Sequence, residues 1–374
     1  MGSAVIRGMS ALAASFTPRF CPNPRCAFHC EDTASWRWVR NGTYRRARAP
    51  LRVQRFRCGH CGRNFSEQSF SATYWLRLPE LHERIFADLV ACAAYRQIGR
   101  SYGISPQTVA LHAARLGRHC LMLHRLLCPE GPIAEALALD SFQGFEFSQY
   151  HPTLFHLIVG QHSHFVYGFT DSELRRSGRM TREQKRRRAE LERDFGRPDP
   201  RSIQREVAKL LTIVAPEPQR LVIHTDEHQD YPRAFRSTPH LEIEHHTISS
   251  RAARTTKNPL FAVNLLDLLI RHSGANHKRE TIAFSKRRQA AAARLWVTLA
   301  WRNYGKWFSE RKRGETPAMR VGASTYRWSL GRMLKERLFP GRIQLPERWA
   351  IYYRGLTPTR RIPNARSHQL SYAF

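Results

Sequence analysis

The polarity of the chain changes period along its length. Between residues 133 and 250, short apolar runs alternate with polar positions in the two-residue rhythm of strands, at 134–140 (AEALALD), 154–160, 165–170, 221–224 and 241–248. Two of these runs lead into an acid, Asp140 and Asp226, and the second continues as the turn HTDEHQDY at 224–231. Residues 259–271 (PLFAVNLLDLLIR) then form a helix-length run that is apolar except for Asn264, Asp267 and Arg271. Those three stand at i, i+3 and i+7, so they predict one polar stripe on an otherwise buried helix. Residues 79–127 and 259–310 read as helical. A charged helical run (MTREQKRRRAELERDFGRP) interrupts the strands within 172–211. Beyond residue 314 there is little periodicity, and no internal repeat is found.

Upstream, Trp36, Trp38, Tyr44, Val53 and Phe56 alternate with polar residues, which predicts short strands. They lie between two cysteine pairs, Cys21/Cys26 and Cys58/Cys61. The tight second pair, with glycines at the turn, points two thiolates at one ion, and the four together predict a structural zinc site. The first gap is looser, so His29 and Cys30 stand as alternatives to Cys26. With eight cysteines and no secretion signal the chain is expected in a reducing compartment, where clustered cysteines mean metal before disulfide. Cys92, Cys120 and Cys128 fall in helical context and read as buried thiols.

Within the helical stretch, 96–109 (RQIGRSYGISPQTV) has the form of a helix-turn-helix. Gly103 suits the turn, Ser105 the N-cap and Pro106 the first helical position. The helix 106–117 is expected to bury Val109, Ala113 and Leu116. It would turn Gln107, Thr108, Leu111, His112 and Arg115 outward, toward a DNA major groove.

Charge changes the picture most. The 374 residues carry 61 Lys+Arg against 30 acids, a net charge of +31 and a pI near 10.9, spread along the chain rather than held in one amphipathic helix. That distribution predicts a polyanionic partner, double-stranded DNA first, and disfavours membrane binding. Hydrophobic residues make up 42%, enough for a sizeable core, and no run approaches the roughly 18 apolar residues of a membrane helix. Residues 1–17 lack an apolar signal core and read as a flexible tail. Two strand-end carboxylates beside a polar helical stripe also suit hard divalent cations, Mg²⁺ or Mn²⁺, which take oxygen ligands.

A zinc ribbon, a helix-turn-helix, two strand-borne aspartates and a helix follow one another as in bacterial insertion-sequence transposases. The chain resembles that group through CGHCGRNFS (58–66), RQIGRSYGISPQTV (96–109), LALDSF (137–142), HTDEHQDY (224–231) and ETIAFSKR (280–287). The resemblance implies an RNase H-like mixed sheet flanked by helices. It implies metal-dependent cleavage that frees a 3′-hydroxyl, and attack of that hydroxyl on target DNA. Asp140 and Asp226 match the first two catalytic acids, with Glu227 and Asp230 as alternatives to Asp226. The family commonly places a Glu third, with Arg or Lys seven residues on. Here the matching position is Asn264, followed by Arg271. Asn offers a neutral oxygen, which would weaken a second metal; Asp267 on the same stripe, or Glu280, are the other candidates. The resulting organisation is a tail (1–17), zinc ribbon (18–70), helix-turn-helix domain (79–128), catalytic domain (132–310) with a helical insertion (172–211), and a basic C-terminal segment (311–374). The resemblance further implies a homo-oligomer acting in the bacterial cytoplasm, on the nucleoid. The alternative is a domesticated, inactive DNA-binding protein of transposase origin.

Overall fold

The computed structural model describes residues 16–30, 35–278 and 281–358. Glu280, most of the tail 1–17 and the end of the segment 311–374 lie outside the described residues. The chain divides into two compact units, residues 1–74 and 75–374.

The first unit is a three-stranded antiparallel sheet, β1 (Trp38–Arg45), β2 (Arg52–Cys58) and β3 (Asn64–Ser66). Its core is small: Trp36, Phe56 and Phe65 pack around Cys21, Cys26 and Cys58, with the Phe56 and Phe65 rings stacked 5.5 Å apart. The alternation of 36–56 thus appears as strands, with Val53, Phe56 and Cys58 buried along β2.

The second unit opens with helices α1 (His82–Val90), α2 (Tyr95–Tyr102) and α3 (Pro106–Leu127). A five-stranded mixed sheet follows: β4 (Leu137–Glu146), β5 (Ser148–Gly160), β6 (Val166–Glu173), β7 (Gln219–Thr225) and β8 (Leu241–Thr247). Its order is β6-β5-β4-β7-β8; β5 is antiparallel to β4 and β6, whereas β4, β7 and β8 run parallel. Between the strands lie α4 (Arg182–Phe195), α5 (Ser202–Val214) and α6 (Asp230–Arg236). After them come α7 (Phe261–Ser273), α8 (Arg288–Ala300), the one-turn helices α9 (Pro317–Arg320) and α10 (Leu330–Met333), and α11 (Glu347–Arg354).

Neighbouring side chains on β6 show how the sheet is covered, because successive residues of a strand point to opposite faces. Phe169 meets Trp296 of α8 at 4.6 Å between ring centroids, while Thr170 donates to the Glu206 carbonyl of α5. Helices therefore pack on both faces, which is why β5 and β6 are buried almost throughout. One continuous buried cluster joins α1–α3, the sheet, α5, α7, α8 and α11.

Several expectations change. The strand carrying Asp140 does not end there: β4 runs on to Glu146, pairing with β5 the whole way. The stretch 172–211 is only partly an insertion. α4 has no buried residue, but α5 buries Val207, Leu210 and Leu211 against the sheet. The described part of the segment 311–374 is built into the unit as well, since Trp349 and Tyr352 are core residues.

Candidate functional site

Asp140 and Asp226 are brought level by strand register. Leu137 pairs with Ile223 and Ala138 with His224 across parallel strands β4 and β7, so two residues further on the acids stand side by side. Asp140 occupies the strand interior; Asp226 is the first residue beyond β7. Phe142, on the same face of β4 as Asp140, lies under the Arg271 guanidinium and against His277. The Asp140 side chain therefore belongs to the face that α7 covers.

Each carboxylate is held by backbone. Ser141 N–H donates to Asp140 Oδ1 at 2.6 Å, and His228 N–H donates to Asp226 Oδ1 at 3.1 Å. Burial pushes the Asp140 carboxyl up to about 6, and the charges of Asp226 and Asp267 add to the rise. The Ser141 amide and the Arg254 guanidinium pull the other way. Like charges so gathered favour a cation or a proton among them. The alternatives to Asp226 are engaged elsewhere: Glu227 accepts from Ser250 N–H, and Asp230 pairs with Arg233 at 3.2 Å.

The polar stripe of α7 lies on one half-buried line: Asn264, Asp267 and Arg271. Arg271 Nε bonds Asp267 Oδ2 at 3.2 Å, the i,i+4 pair that the spacing allows. Asp267 Oδ1 is buried with no hydrogen-bond partner among the described residues. The Asn264 backbone is bonded within the helix, to Leu260 O.

On the opposite face a chain of polar groups crosses three strands. Tyr231 OH lies 3.2 Å from Ser141 Oγ, which bonds His156 Nδ1 at 2.6 Å, and His156 Nε2 bonds Ser172 Oγ at 2.9 Å. His156 is fully buried, and burial lowers its pKa to about 4, so a neutral ring joins the two hydroxyls at neutral pH. This chain braces the strand next to Asp140 and was missed in the sequence, because Ser141, His156 and Ser172 meet only through strand register. His224, flanking the acid turn, stacks on His246 with centroids 4.9 Å apart.

In the first unit the ligand atoms of Cys21, Cys26, Cys58 and Cys61 all lie within 4.8 Å of one another. The Cys21–Cys61 and Cys26–Cys58 sulfurs are 3.7 and 4.0 Å apart. A tetrahedral zinc with Zn–S bonds of about 2.3 Å would set its sulfurs ~3.8 Å apart, so the four cysteines fit such an ion. His29 is not among these clustered ligand atoms, its Nδ1 bonding the Cys21 carbonyl at 2.8 Å, and Cys30 is exposed. Trp36 Nε1–H donates to Cys58 Sγ at 3.2 Å. Burial alone would raise the Cys58 thiol, but the Cys61 amide, the Trp36 indole and the His60 amide reverse this, to about 7. Burial raises the Cys21 and Cys26 thiols, a direction that a bound cation would oppose.

The turn between α2 and α3 has the expected caps. Gly103 is left-handed at φ +63°, Ser105 accepts from Thr108 N–H, and Pro106 opens α3. Gln107 is exposed, while Thr108 and Arg115 are half-buried. His112 is a correction: it is 2% exposed, and its Nδ1 lies 3.0 Å from Nδ1 of His82 on α1. It belongs to the packed side of α3 with Val109 and Leu116, so it cannot face a groove. The helix itself runs ten residues past Gly117, to Leu127.

No protein-family model matches the chain, and no curated protein matches it. Among solved structures, one similar chain belongs to a cryo-electron microscopy structure of a simian T-cell lymphotropic virus intasome in complex with PP2A regulatory subunit B56 gamma. It is 14% identical over 77% of this chain and 84% of that one, with a TM-score of 0.23. A likeness at that score carries no argument about fold or function. Among the described residues, no helix is long and apolar enough to cross a membrane.

Proposed function

We propose that the chain is a transposase-like DNA-cleaving and DNA-joining enzyme, its five-stranded sheet an RNase H-like core and its first unit a zinc ribbon. The observation that carries this reading is the level placement of Asp140 and Asp226 on adjacent parallel strands, beside a helix whose Asp267 keeps one buried oxygen without a partner. Supporting it are the sheet order β6-β5-β4-β7-β8 with β5 reversed, and a +31 charge suited to DNA.

The donors are carboxylate oxygens, the ligand type of Mg²⁺ or Mn²⁺. Asp140 and Asp226 would hold the cation, and Asn264 or Asp267 would complete its shell from α7. A divalent ion held there polarises phosphoryl oxygens and stabilises the charge that builds up as a phosphodiester is displaced. The chain's own residues do the positioning. The Ser141 and His228 amides fix the two carboxylates, Arg271 orients Asp267, and the His156 chain braces β4 from behind. In the first unit, Cys21, Cys26, Cys58 and Cys61 would close a zinc site that is structural, with no position left open for chemistry.

The test is divalent-metal-dependent nicking of supercoiled plasmid. Asp140→Asn and Asp226→Asn are each expected to lower the rate by at least about a hundredfold, as when a charge-stabilising group is removed from a site. DNA binding should be unchanged. Activity that survives in both variants, or in chelator, would sink this reading. A chain that binds DNA with no metal-dependent cleavage would instead be the inactive DNA-binding relative.

A further inference from the structure

We propose that the loop joining β8 to α7 is a phosphate clamp, in which Arg251, Arg254 and Lys257 seat the backbone of a DNA strand at the mouth of the carboxylate site. It rests on the function proposed above, and names the part of the substrate that this loop would hold.

The loop is anchored beside the acids at its first residues. Ile248 N–H donates to the Thr225 carbonyl at 2.8 Å, directly before Asp226, and Ser250 N–H donates to Glu227 Oε2 at 3.2 Å, directly after it. Its far end runs into α7, which carries Asn264 and Asp267. It therefore spans from one candidate ligand strand to the candidate ligand helix. It is also internally closed. Ala252 N–H bonds Ser249 O at 2.9 Å, Asn258 N–H bonds Thr255 O at 2.9 Å, and Asn258 Nδ2 donates to Ala253 O at 2.9 Å. A loop tied at both ends and within has its backbone set before a ligand arrives, which lowers the ordering cost of binding.

Its charge is one-sided. Residues 249–258 (SSRAARTTKN) contain Arg251, Arg254 and Lys257 and no acid, and all three cations are exposed. By contrast, the exposed Arg220 and Arg233 have carboxylate partners: Arg220 bonds Glu244 at 2.8 Å and Arg233 bonds Asp230 at 3.2 Å. No ion pair holds Arg251, Arg254 or Lys257 among the described residues. Arg254 is near enough for its charge to act on Asp140. Cations in solvent beside a cluster of carboxylates, and not neutralising it, suit a ligand that is itself an anion and must approach those carboxylates. A phosphodiester strand is such a ligand, and guanidinium groups grip phosphate oxygens in pairs. The Ser249, Ser250, Thr255 and Thr256 hydroxyls line the same loop as neutral donors.

The experiment uses the full chain and a random-sequence duplex, with binding followed by fluorescence anisotropy across a range of salt in metal-free buffer. Replacing Arg251, Arg254 and Lys257 together by Ala should flatten the slope of log K against log salt by ~2.7, at about 0.9 for each phosphate no longer neutralised. Arg251→Lys with Arg254→Lys, which keeps the charge, should leave the slope near that of the native chain. An unchanged slope in the Ala variant overturns the clamp, as does an equal flattening in the Lys variant. Nicking by the native chain, measured separately, keeps the two ideas apart. A flattened slope in a chain that never nicks leaves the loop a DNA-binding surface and removes the catalytic reading. Nicking with an unchanged slope does the reverse.

Discussion

Asp267 spends one oxygen on Arg271 and keeps the other buried and bare, whereas Asn264, one turn earlier, brings no charge to the site. A buried carboxylate oxygen without a donor costs free energy unless a cation meets it, so the two residues make different demands on a metal. Asp267→Ala is expected to cut metal-dependent nicking by about a hundredfold if it is the third ligand, with Asn264→Ala changing little. If Asn264 is the third ligand instead, Asn264→Ala is the damaging change and Asn264→Glu keeps or raises activity. Glu280→Gln belongs in the same set, and a loss confined to it would remove both α7 residues from the site. At this scale the sequence was legible where a residue acts on near neighbours. Gly103, Ser105 and Pro106 do what their types require, and the Asp267–Arg271 pair follows from spacing. His112 was misread despite such a signal. That residue is three positions from Val109 and so shares its buried side, and its partner His82 lies 30 residues away.

Among the elements, the three-stranded sheet with its four clustered cysteines was read most fully, because two short cysteine spacings and an alternating stretch are local signals. Its buried apolar core of Trp36, Phe56 and Phe65 is small, so a metal at the four cysteines is expected to add to its stability. Cys58→Ser with Cys61→Ser is expected to release about one equivalent of zinc and to open residues 20–65 to protease, seen by elemental analysis and limited proteolysis. A sheet that stays protease-resistant without metal would contradict this. α11 was not legible at all. Its Arg348 and Tyr352 reach Asp171 on β6, 177 and 181 residues earlier. Trp349 fills the space over Gly168, where a Cβ would stand 2.5 Å from its ring. No periodicity marks a helix of eight residues whose partners lie so far back in the chain.

Across the whole molecule those distant partners form one buried ionic cluster. Asp171 binds Arg288, Arg348 and Tyr352, while Arg348 also bonds Glu206 at 2.6 Å, so α8, α11, α5 and β6 close on one another. Burial alone would raise both carboxyls, but the guanidiniums hold Asp171 and Glu206 below the usual carboxylate range. A depressed folded pKa gives stability that is present above the unfolded value, near 4, and lost as pH falls through the folded one. The melting temperature of the second unit should accordingly drop as pH falls below about 4. Arg348→Ala should cost ~3–5 kcal/mol at neutral pH, the range for leaving a buried charge uncompensated. A native-like melting temperature in that variant would show that the cluster is dispensable. The strand runs and the acids at 140 and 226 were visible in the sequence, but the ionic closure of α11 on β6 was not.

The crossing of α3 over α8 has a consequence for DNA geometry. A Cβ on Gly117 would stand 2.6 Å from the Ala293 carbonyl and 2.7 Å from its Cβ, so the two backbones meet with only the Ala293 methyl at the contact. α3 spans 22 residues, about 33 Å, from the turn that carries Gln107 to a C-terminal half rooted in the core of the sheet. A helix seated so firmly is a strut. If its first turn reads bases while the sheet cuts a phosphate, the number of base pairs between the two becomes a dimension of the protein, and the DNA is measured as well as recognised.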